Sequence, residues 1–155
     1  MTAERKQEYT RRISQANKSE VVVIIYEVAM DYFDEAIAAE NREDFTDSVN
    51  KAKKCVEQLR DALDMNYPAI SLPLSRLYNF VTLECDKATM KDDRTNIPAC
   101  RKVMEGLHSS FVEVAKQDTS GPMMENAEEV YSGLTYGKTG ENASVGAGVS
   151  RGFSA

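Results

Sequence analysis

The stretch from Ser19 to Ile37 restricts the fold of this chain more than any other part of the sequence. It carries two apolar rows at helical spacing. The first row consists of Val21, Ile25, Val28, Tyr32 and Ala36, and the second of Val22, Tyr26, Ala29, Phe33 and Ile37. Polar residues form only a narrow strip, mostly Glu20, Glu27, Asp31 and Asp34. Because such a helix can contact protein over most of its circumference, it is predicted to lie in the middle of the fold.

The start of this helix is marked by Asn17 and Glu20, whose spacing fits a capping box. A β-strand is the weaker interpretation, since the apolar periodicity continues far beyond the roughly 10 residues of a long strand. A membrane span is a weaker interpretation still, because Glu27 and Asp31 interrupt the apolar run far short of the roughly 18 to 20 residues that a bilayer requires. These acidic residues also argue against a signal peptide, so no targeting segment is predicted.

Length and charge narrow the class of protein. The 155 residues suffice for about one domain with a real core. The net charge of −6 argues against nucleic-acid binding, which needs a concentrated basic surface. The one basic cluster, Arg5, Lys6, Arg11 and Arg12, is interleaved with acidic residues and is interpreted as a solvated arm. The expected protein is therefore globular, with no nucleic-acid partner and no membrane insertion.

The cysteines Cys55, Cys85 and Cys100 are odd in number and too widely spaced for a zinc knuckle. All three fall on or beside apolar helical rows, where a reduced thiol behaves as a small hydrophobic group. This usage predicts a cytoplasmic protein without disulfides.

Three further helices are predicted after the first, and an arm is predicted before it. The arm, Met1 to Ala16, has Tyr9, Ile13 and Ala16 as its apolar anchors. The other helices are expected at about Asp44 to Asp64, Leu72 to Met90 and Asn96 to Gln117. Short links between helices of this length favour an antiparallel up-down-up-down four-helix bundle, so the fold class is all-α.

Each of these helices has an apolar row that is expected to face the core. The rows are Phe45, Val49, Ala52, Val56, Leu59 and Leu63; Leu74, Leu77, Val81, Cys85 and Ala88; and Ile97, Cys100, Met104, Leu107, Phe111 and Val114. Pro73 and Pro98 suit first helical turns, and Asn96 is expected to cap the last helix.

The composition changes after residue 118. Residues 119–155 are rich in Gly and Ser, with isolated aromatic side chains, and are expected to form a mostly disordered tail whose one candidate helix spans Met123 to Tyr131. The predicted organisation is a helical bundle domain with its arm in residues 1–118 and a flexible tail in residues 119–155.

None of the candidate motifs for catalysis or cofactor binding has all the residues and the spacing that it requires. Glu105 and His108 have the spacing of a di-iron ligand pair, but such a site needs a second histidine and the chain has only one. His108 is therefore expected to be an exposed structural residue. The run Gly133 to Thr139 lacks one residue of a phosphate loop, and Gly146, Gly148 and Gly152 lack dinucleotide-binding spacing. No catalytic residue, metal or cofactor is predicted.

The apolar surface exceeds what four mutual helix contacts need. The surplus lies on the second row of the first helix and at Phe80 and Leu83. A fifth short helix, the arm or a self-association face would account for it. A groove for an amphipathic helix of another protein would account for it equally well.

Short motifs in the same order resemble the FliS family of flagellar export chaperones. They run from Tyr9 through Asn17-Lys18-Ser19-Glu20 to Ile25-Tyr26-Glu27, and continue at Leu77-Tyr78-Asn79-Phe80 and at Ala88 with Lys91-Asp92. The resemblance covers about Tyr9 to Gln117. Lys18, where the family usually has proline, and the long tail are the departures.

The resemblance implies a bundle without enzymatic activity that binds the disordered C-terminal region of newly made flagellin. Binding would prevent premature polymerisation in the bacterial cytosol and present flagellin to the flagellar export gate. Candidate partner-binding residues, taken from family motifs, the arm and the surplus apolar surface, are Tyr9, Ile13, Val22, Ile25, Tyr26, Tyr78, Phe80 and Leu83. The alternative is a self-associating structural or adaptor bundle, a homo-oligomer without a flagellar role.

Overall fold

A computed structural model describes residues 1–126 of the chain, which contain five α-helices, one short 3-10 helix and no strand. The all-α prediction is thus confirmed. The helices are α1 (Ala3–Gln15), α2 (Lys18–Ala38), α3 (Arg42–Asp61), α4 (Pro68–Lys91) and α5 (Ile97–Gln117), followed by a 3-10 helix at Met123–Asn126.

Helix α2 is the central element, and α5 runs antiparallel to it. Ser19 at the start of α2 donates a hydrogen bond to Asp118 after the end of α5, whereas Asp34 near the end of α2 pairs with Arg101 near the start of α5. Helix α2 also packs extensively on α3. Its position between two helices agrees with the prediction from its two apolar rows.

Helix α4 packs on α3 and runs antiparallel to it, and its buried residues share the main core with those of α2. Lys53 of α3 contacts Asp86 of α4. Arg60, which is closer to the end of α3, contacts Asn79, which is closer to the start of α4. Helix α4 packs extensively on α3 but only slightly on α5. The pairs α2–α5 and α3–α4 are therefore antiparallel, which is consistent with the predicted up-down-up-down bundle.

The main core contains the second row of α2, so most of that row is not surplus surface. Tyr26, Ala29 and Phe33 are fully buried against α3 and α5, and only Ile37 of that row is exposed. Every predicted inward residue of α3 is buried except Leu63, which is partly buried. Placing the surplus on the second row of α2 was wrong, because α3 and α5 cover it.

The predicted capping box of α2 is present. Asn17 accepts a hydrogen bond from the Glu20 backbone N–H, and Glu20 accepts one from the Asn17 N–H, each at 2.9 Å. The expected role of Pro73 was wrong, because α4 begins at Pro68 and Pro73 lies inside the helix. Pro68 takes the first position, where a missing N–H costs no intrahelical hydrogen bond.

The start of α5 and two apolar residues of α4 and α5 also differ from expectation. Asn96 precedes α5 but does not cap it, because its side-chain amide donates to Glu84 Oε1 at 2.8 Å. Leu77 and Val114 were expected to face inward but are exposed. Each lies on a helix face that no neighbouring helix of the described part covers closely.

The predicted arm is a helix. Thr2 caps α1, and Tyr9 is buried in a small second core with Ala16 and Ile24. Helix α1 runs antiparallel to α2, since the N-terminus of Met1 pairs with Glu35 near the end of α2. The arm is thus a fifth helix that covers one side of α2.

Residues just after α5 are tied to the α1–α2 junction. The Asn17 side-chain amide donates to the carbonyl oxygens of Asp118 and Ser120 at 3.4 and 3.3 Å. The Met123 N–H donates to the Ala16 carbonyl at 2.8 Å. The candidate helix of Met123 to Tyr131 is a 3-10 helix as far as Asn126, and its remainder lies outside the described residues.

Candidate partner-binding surface

The outer side of α4 carries an apolar row that no other described element covers. We call Leu72, Phe80, Leu83 and Met90 the α4 stripe. Their separations of eight, three and seven residues place them on one side of a helix with about 3.6 residues per turn. Phe80 is 46% exposed and Leu83 is 53% exposed. Large apolar side chains aligned in this way mark an interaction surface more strongly than scattered ones.

The opposite side of α4 explains why the stripe points outward. Tyr78, Val81, Cys85 and Ala88 are buried against the rest of the bundle and fix the rotation of the helix about its axis. Since α4 packs mainly on α3, its outer face remains exposed. The sequence indicated Phe80 and Leu83 but missed Leu72 and Met90. The helical spacing of Leu72 and Met90 from Phe80 could have revealed them in the sequence.

Arg76 and Lys87 stand on the same side of α4, between members of the stripe. Both are exposed, and Lys87 Nζ lies 3.5 Å from Glu84 Oε2. The long alkyl portions of such side chains extend the apolar surface while their charges stay in water. The face therefore combines large apolar side chains with two cationic side chains that lie among them.

Tyr26 and Tyr78 are buried, so neither contributes to the surface of the molecule in this state. Their hydroxyl groups are hydrogen-bonded to each other, and the Tyr26 ring lies 5.4 Å from the Phe111 ring. Burial raises the pKa of Tyr26, and the hydrogen bond with Tyr78 raises it further. Burial also raises the pKa of Tyr78. These two candidates support the bundle from inside.

Tyr9 is also buried, beneath α1. Its hydroxyl donates to Asp31 Oδ2 at 2.6 Å, and Arg5 Nε donates to the same oxygen at 2.9 Å. The pKa of Tyr9 is raised, first by burial and then by the hydrogen bond to Asp31. The other candidates of this region, Ile13 of α1 and Val22 and Ile25 of α2, are partly buried.

The basic cluster of α1 and His108 are more engaged than the sequence suggested. Arg12 donates to both carboxylate oxygens of Glu27, and the His108 ring lies 3.1 Å from Glu27 Oε2. Burial alone would raise the pKa of Glu27, but the hydrogen bonds from Arg12 and His108 outweigh it and the pKa is lowered. Describing Arg12 as solvated and His108 as exposed was wrong, because α1 packs on α2 and brings these groups together.

The described residues offer no arrangement for metal chemistry. Among residues 1–126 no group of three or more His, Cys, Asp and Glu side chains is placed to hold a metal ion. Glu105 pairs with Arg101 at 3.5 Å, whereas His108 contacts Glu27, so the Glu-x-x-His pair does not converge. The glycine motifs near residues 133–152 lie outside the described part.

A helical bundle with an uncovered apolar face is typical of proteins that bind a segment of another protein. The sequence profile of the family described as Flagellar protein FliS matches residues 1–118. The chain therefore belongs to the FliS family, whose members are flagellar chaperones, and the resemblance found in the sequence is confirmed. Comparison with curated proteins and with solved structures gives no significant match. No helix in the described part is long and apolar enough to cross a bilayer.

Proposed function

We propose that this protein is a cytoplasmic export chaperone that binds the disordered C-terminal segment of flagellin. Binding prevents premature polymerisation and keeps flagellin available to the flagellar export gate, without an enzymatic step. Membership of the FliS family over residues 1–118 supports the flagellar role. The uncovered α4 stripe is the observation that supports binding to a protein segment.

The flagellin segment docks on the α4 stripe as an amphipathic helix. Phe80 and Leu83 lie in the middle of the stripe, with Leu72 and Met90 toward its ends. Covering a large apolar side chain contributes about 1.5 to 3 kcal/mol, so Phe80 and Leu83 are the strongest anchors. Tyr78 lies on the buried side of α4 and positions these anchors by holding the helix on the core.

A second contact region lies beneath and beside α1. Helix α1 covers Ile24 and packs on Val21 and Val28 of α2. A flagellin segment long enough to leave the α4 stripe continues over this side of α2, near Val22 and Ile25, when α1 moves aside. Tyr9 and Ile13 then act as a competitor of the client. Residues 1–118 form the binding domain in this proposal, and residues 119–155 are a separate segment.

Calorimetry with a flagellin C-terminal peptide tests the proposal. Apolar burial coupled to folding predicts a large negative heat-capacity change. Raising the salt concentration from about 0.1 to 0.5 M, which shortens the screening length below about 10 Å, is expected to change the affinity little. Deleting residues 1–16 is expected to tighten binding, because it removes the competing helix.

The matched variants are Phe80→Asp and Ser109→Asp. Each adds one negative charge at an exposed helical position, but only the first lies in the α4 stripe. We expect Phe80→Asp to weaken binding at least about tenfold, which corresponds to about 1.4 kcal/mol, and Ser109→Asp to leave it unchanged. Equal affinities for both variants would refute the assignment of the stripe. A peptide that does not bind, together with a dimer in sedimentation, would favour the self-associating bundle.

A further inference from the structure

A groove of about 420 Å³ lies between the end of α1, the first half of α2 and the last turns of α5. It is on a different side of the molecule from the outer face of α4. Its apolar lining consists of Ala16, Val23, Ile24, Val112 and Ala115. Val112 and Ala115 are only partly buried, so the groove presents apolar surface to whatever enters it.

The charged groups at the rim of this groove already have partners. Arg12 is paired with Glu27 at 2.7 Å, and Lys116 is paired with Glu113 at 3.0 Å. Glu20 accepts the Asn17 N–H in the capping box. Because these groups are engaged, the groove lacks a cluster of free charges that would select a polar ligand. An apolar segment suits it best.

After α5, hydrogen bonds attach the chain to the edge of the groove. Ser19 Oγ donates to Asp118 Oδ2 at 2.5 Å, and the Met123 N–H donates to the carbonyl oxygen of Ala16, a residue of the lining. The described part then ends at Asn126. The chain beyond Asn126 therefore continues from a segment that is attached at the edge of the groove.

The sequence that follows has a cluster of large apolar side chains close to this point. Val130, Tyr131, Leu134 and Tyr136 fall within seven residues, whereas the apolar residues of 143–149 are the smaller Ala and Val alternating with Ser and Gly. From Asn126 to Val130 the chain spans four residues, which reach at most about 14 Å. The cluster is thus within reach of a groove whose edge is already in contact with Met123.

We propose that Val130 to Tyr136 of the same chain occupies the groove between α1, α2 and α5. The segment fills the space with apolar side chains and holds the end of α1 against α5. This occupancy does not rest on the proposed flagellar role, because it requires neither flagellin nor the α4 stripe. It does oppose the movement of α1 that the second contact region for flagellin requires. It also gives the residues beyond Asp118 a structural task that the expectation of a disordered tail did not include.

The test uses the full chain, which contains no tryptophan and therefore accepts a single reporter. Tyr131→Trp places the reporter in the cluster, and Phe153→Trp is the matched control in the Gly- and Ser-rich region. We expect the emission of the first variant to be shifted to the blue and its quenching by acrylamide to be several-fold weaker. Adding Ala115→Asp to Tyr131→Trp should abolish both effects, while circular dichroism confirms that the bundle is still folded.

Three results would overturn the proposal. The first is identical emission and quenching for the two reporters. The second is a blue shift that survives both Ala115→Asp and the milder groove variant Val112→Ser, because the reporter is then buried elsewhere. The third is a shift that disappears on about a hundredfold dilution, because the occupant is then a second copy of the chain.

Discussion

The hydroxyl groups of Tyr26 and Tyr78 are hydrogen-bonded to each other across the core, although the two residues are 52 positions apart in sequence. They join α2 to α4, two helices that share no extensive contact otherwise. Both side chains are buried, so neither hydroxyl can turn to bulk water if its partner is lost. Together with Val81, Cys85 and Ala88, the pair therefore holds α4 on the bundle with its stripe facing outward.

The first prediction concerns this pair. Tyr78→Phe leaves the Tyr26 hydroxyl buried without its partner and should lower the free energy of unfolding by about 1 to 3 kcal/mol. The double variant Tyr26→Phe and Tyr78→Phe should recover most of that loss, since neither ring then carries an unpaired polar group. Urea denaturation of the four proteins in a double-mutant cycle measures the coupling. Additive losses would show that the two hydroxyls act independently.

The second prediction concerns the attachment of α1. Tyr9→Ala removes both an apolar anchor and a hydrogen bond to a carboxylate, and should weaken the docking of α1 by about 2 to 4 kcal/mol. Hydrogen exchange should then rise throughout α1 while α2 to α5 stay protected. Arg11→Ala, at an exposed position on the same helix, is the control. Faster exchange in all helices would mean that α1 is part of the cooperative unit.

The third prediction concerns thiol reactivity. Cys55, Cys85 and Cys100 are all buried, and burial raises the pKa of Cys55 to about 11. Because the bundle covers all three thiols, the reagent cannot reach them, and alkylation by iodoacetamide near neutral pH should be very slow in the folded protein. In urea all three should react at the rate of free cysteine. Rapid modification of one cysteine without denaturant would reveal local opening at that helix.

The fourth prediction concerns the attachment of the segment after α5. Hydrogen bonds from Ser120 and Ser19 lower the pKa of Asp118 from its ordinary value of 3.8 to about 2. A lowered folded-state pKa means that the attachment is complete above pH about 4 and is lost as the pH falls toward about 2. Nuclear magnetic resonance of the Ser19 and Ser120 amides should follow that transition. In Asp118→Asn the pH-dependent change should be absent.

Local patterns were sufficient to predict α2 and α3. The capping box of Asn17 and Glu20 depends on residues three positions apart, and the row of Phe45, Val49 and Ala52 needs only a helix with one buried side. Both features are determined within a few turns of chain. Short links likewise favour antiparallel neighbours, and the antiparallel pairs α2–α5 and α3–α4 are consistent with that expectation.

The parts that the sequence did not predict depend on contacts between distant residues. Helix α1 has Tyr9 as its single buried residue and is held by ion pairs with Asp31 and Glu27, which no local pattern reveals. The exposure of Leu77 beside the buried Tyr78 depends on which neighbours α4 has. The candidate site was therefore located at Phe80 and Leu83 only in part, and its two ends became evident from the packing of α4.

The antiparallel pairing of α2 with α5 has a consequence for synthesis of the chain. Ser19 and Asp118, which meet at one end of that pair, are separated by 99 positions, and α5 is the last long helix of the described residues. Closing so long a loop is entropically costly and is repaid only when the helix faces meet. While the chain is still growing on the ribosome, α1, α3 and α4 can pack on α2, but the side of α2 that faces α5 stays uncovered. A nascent chain that ends before Ile97 therefore lacks Phe111, the α5 neighbour of the Tyr26 ring, and this side of the bundle closes only after α5 has been made.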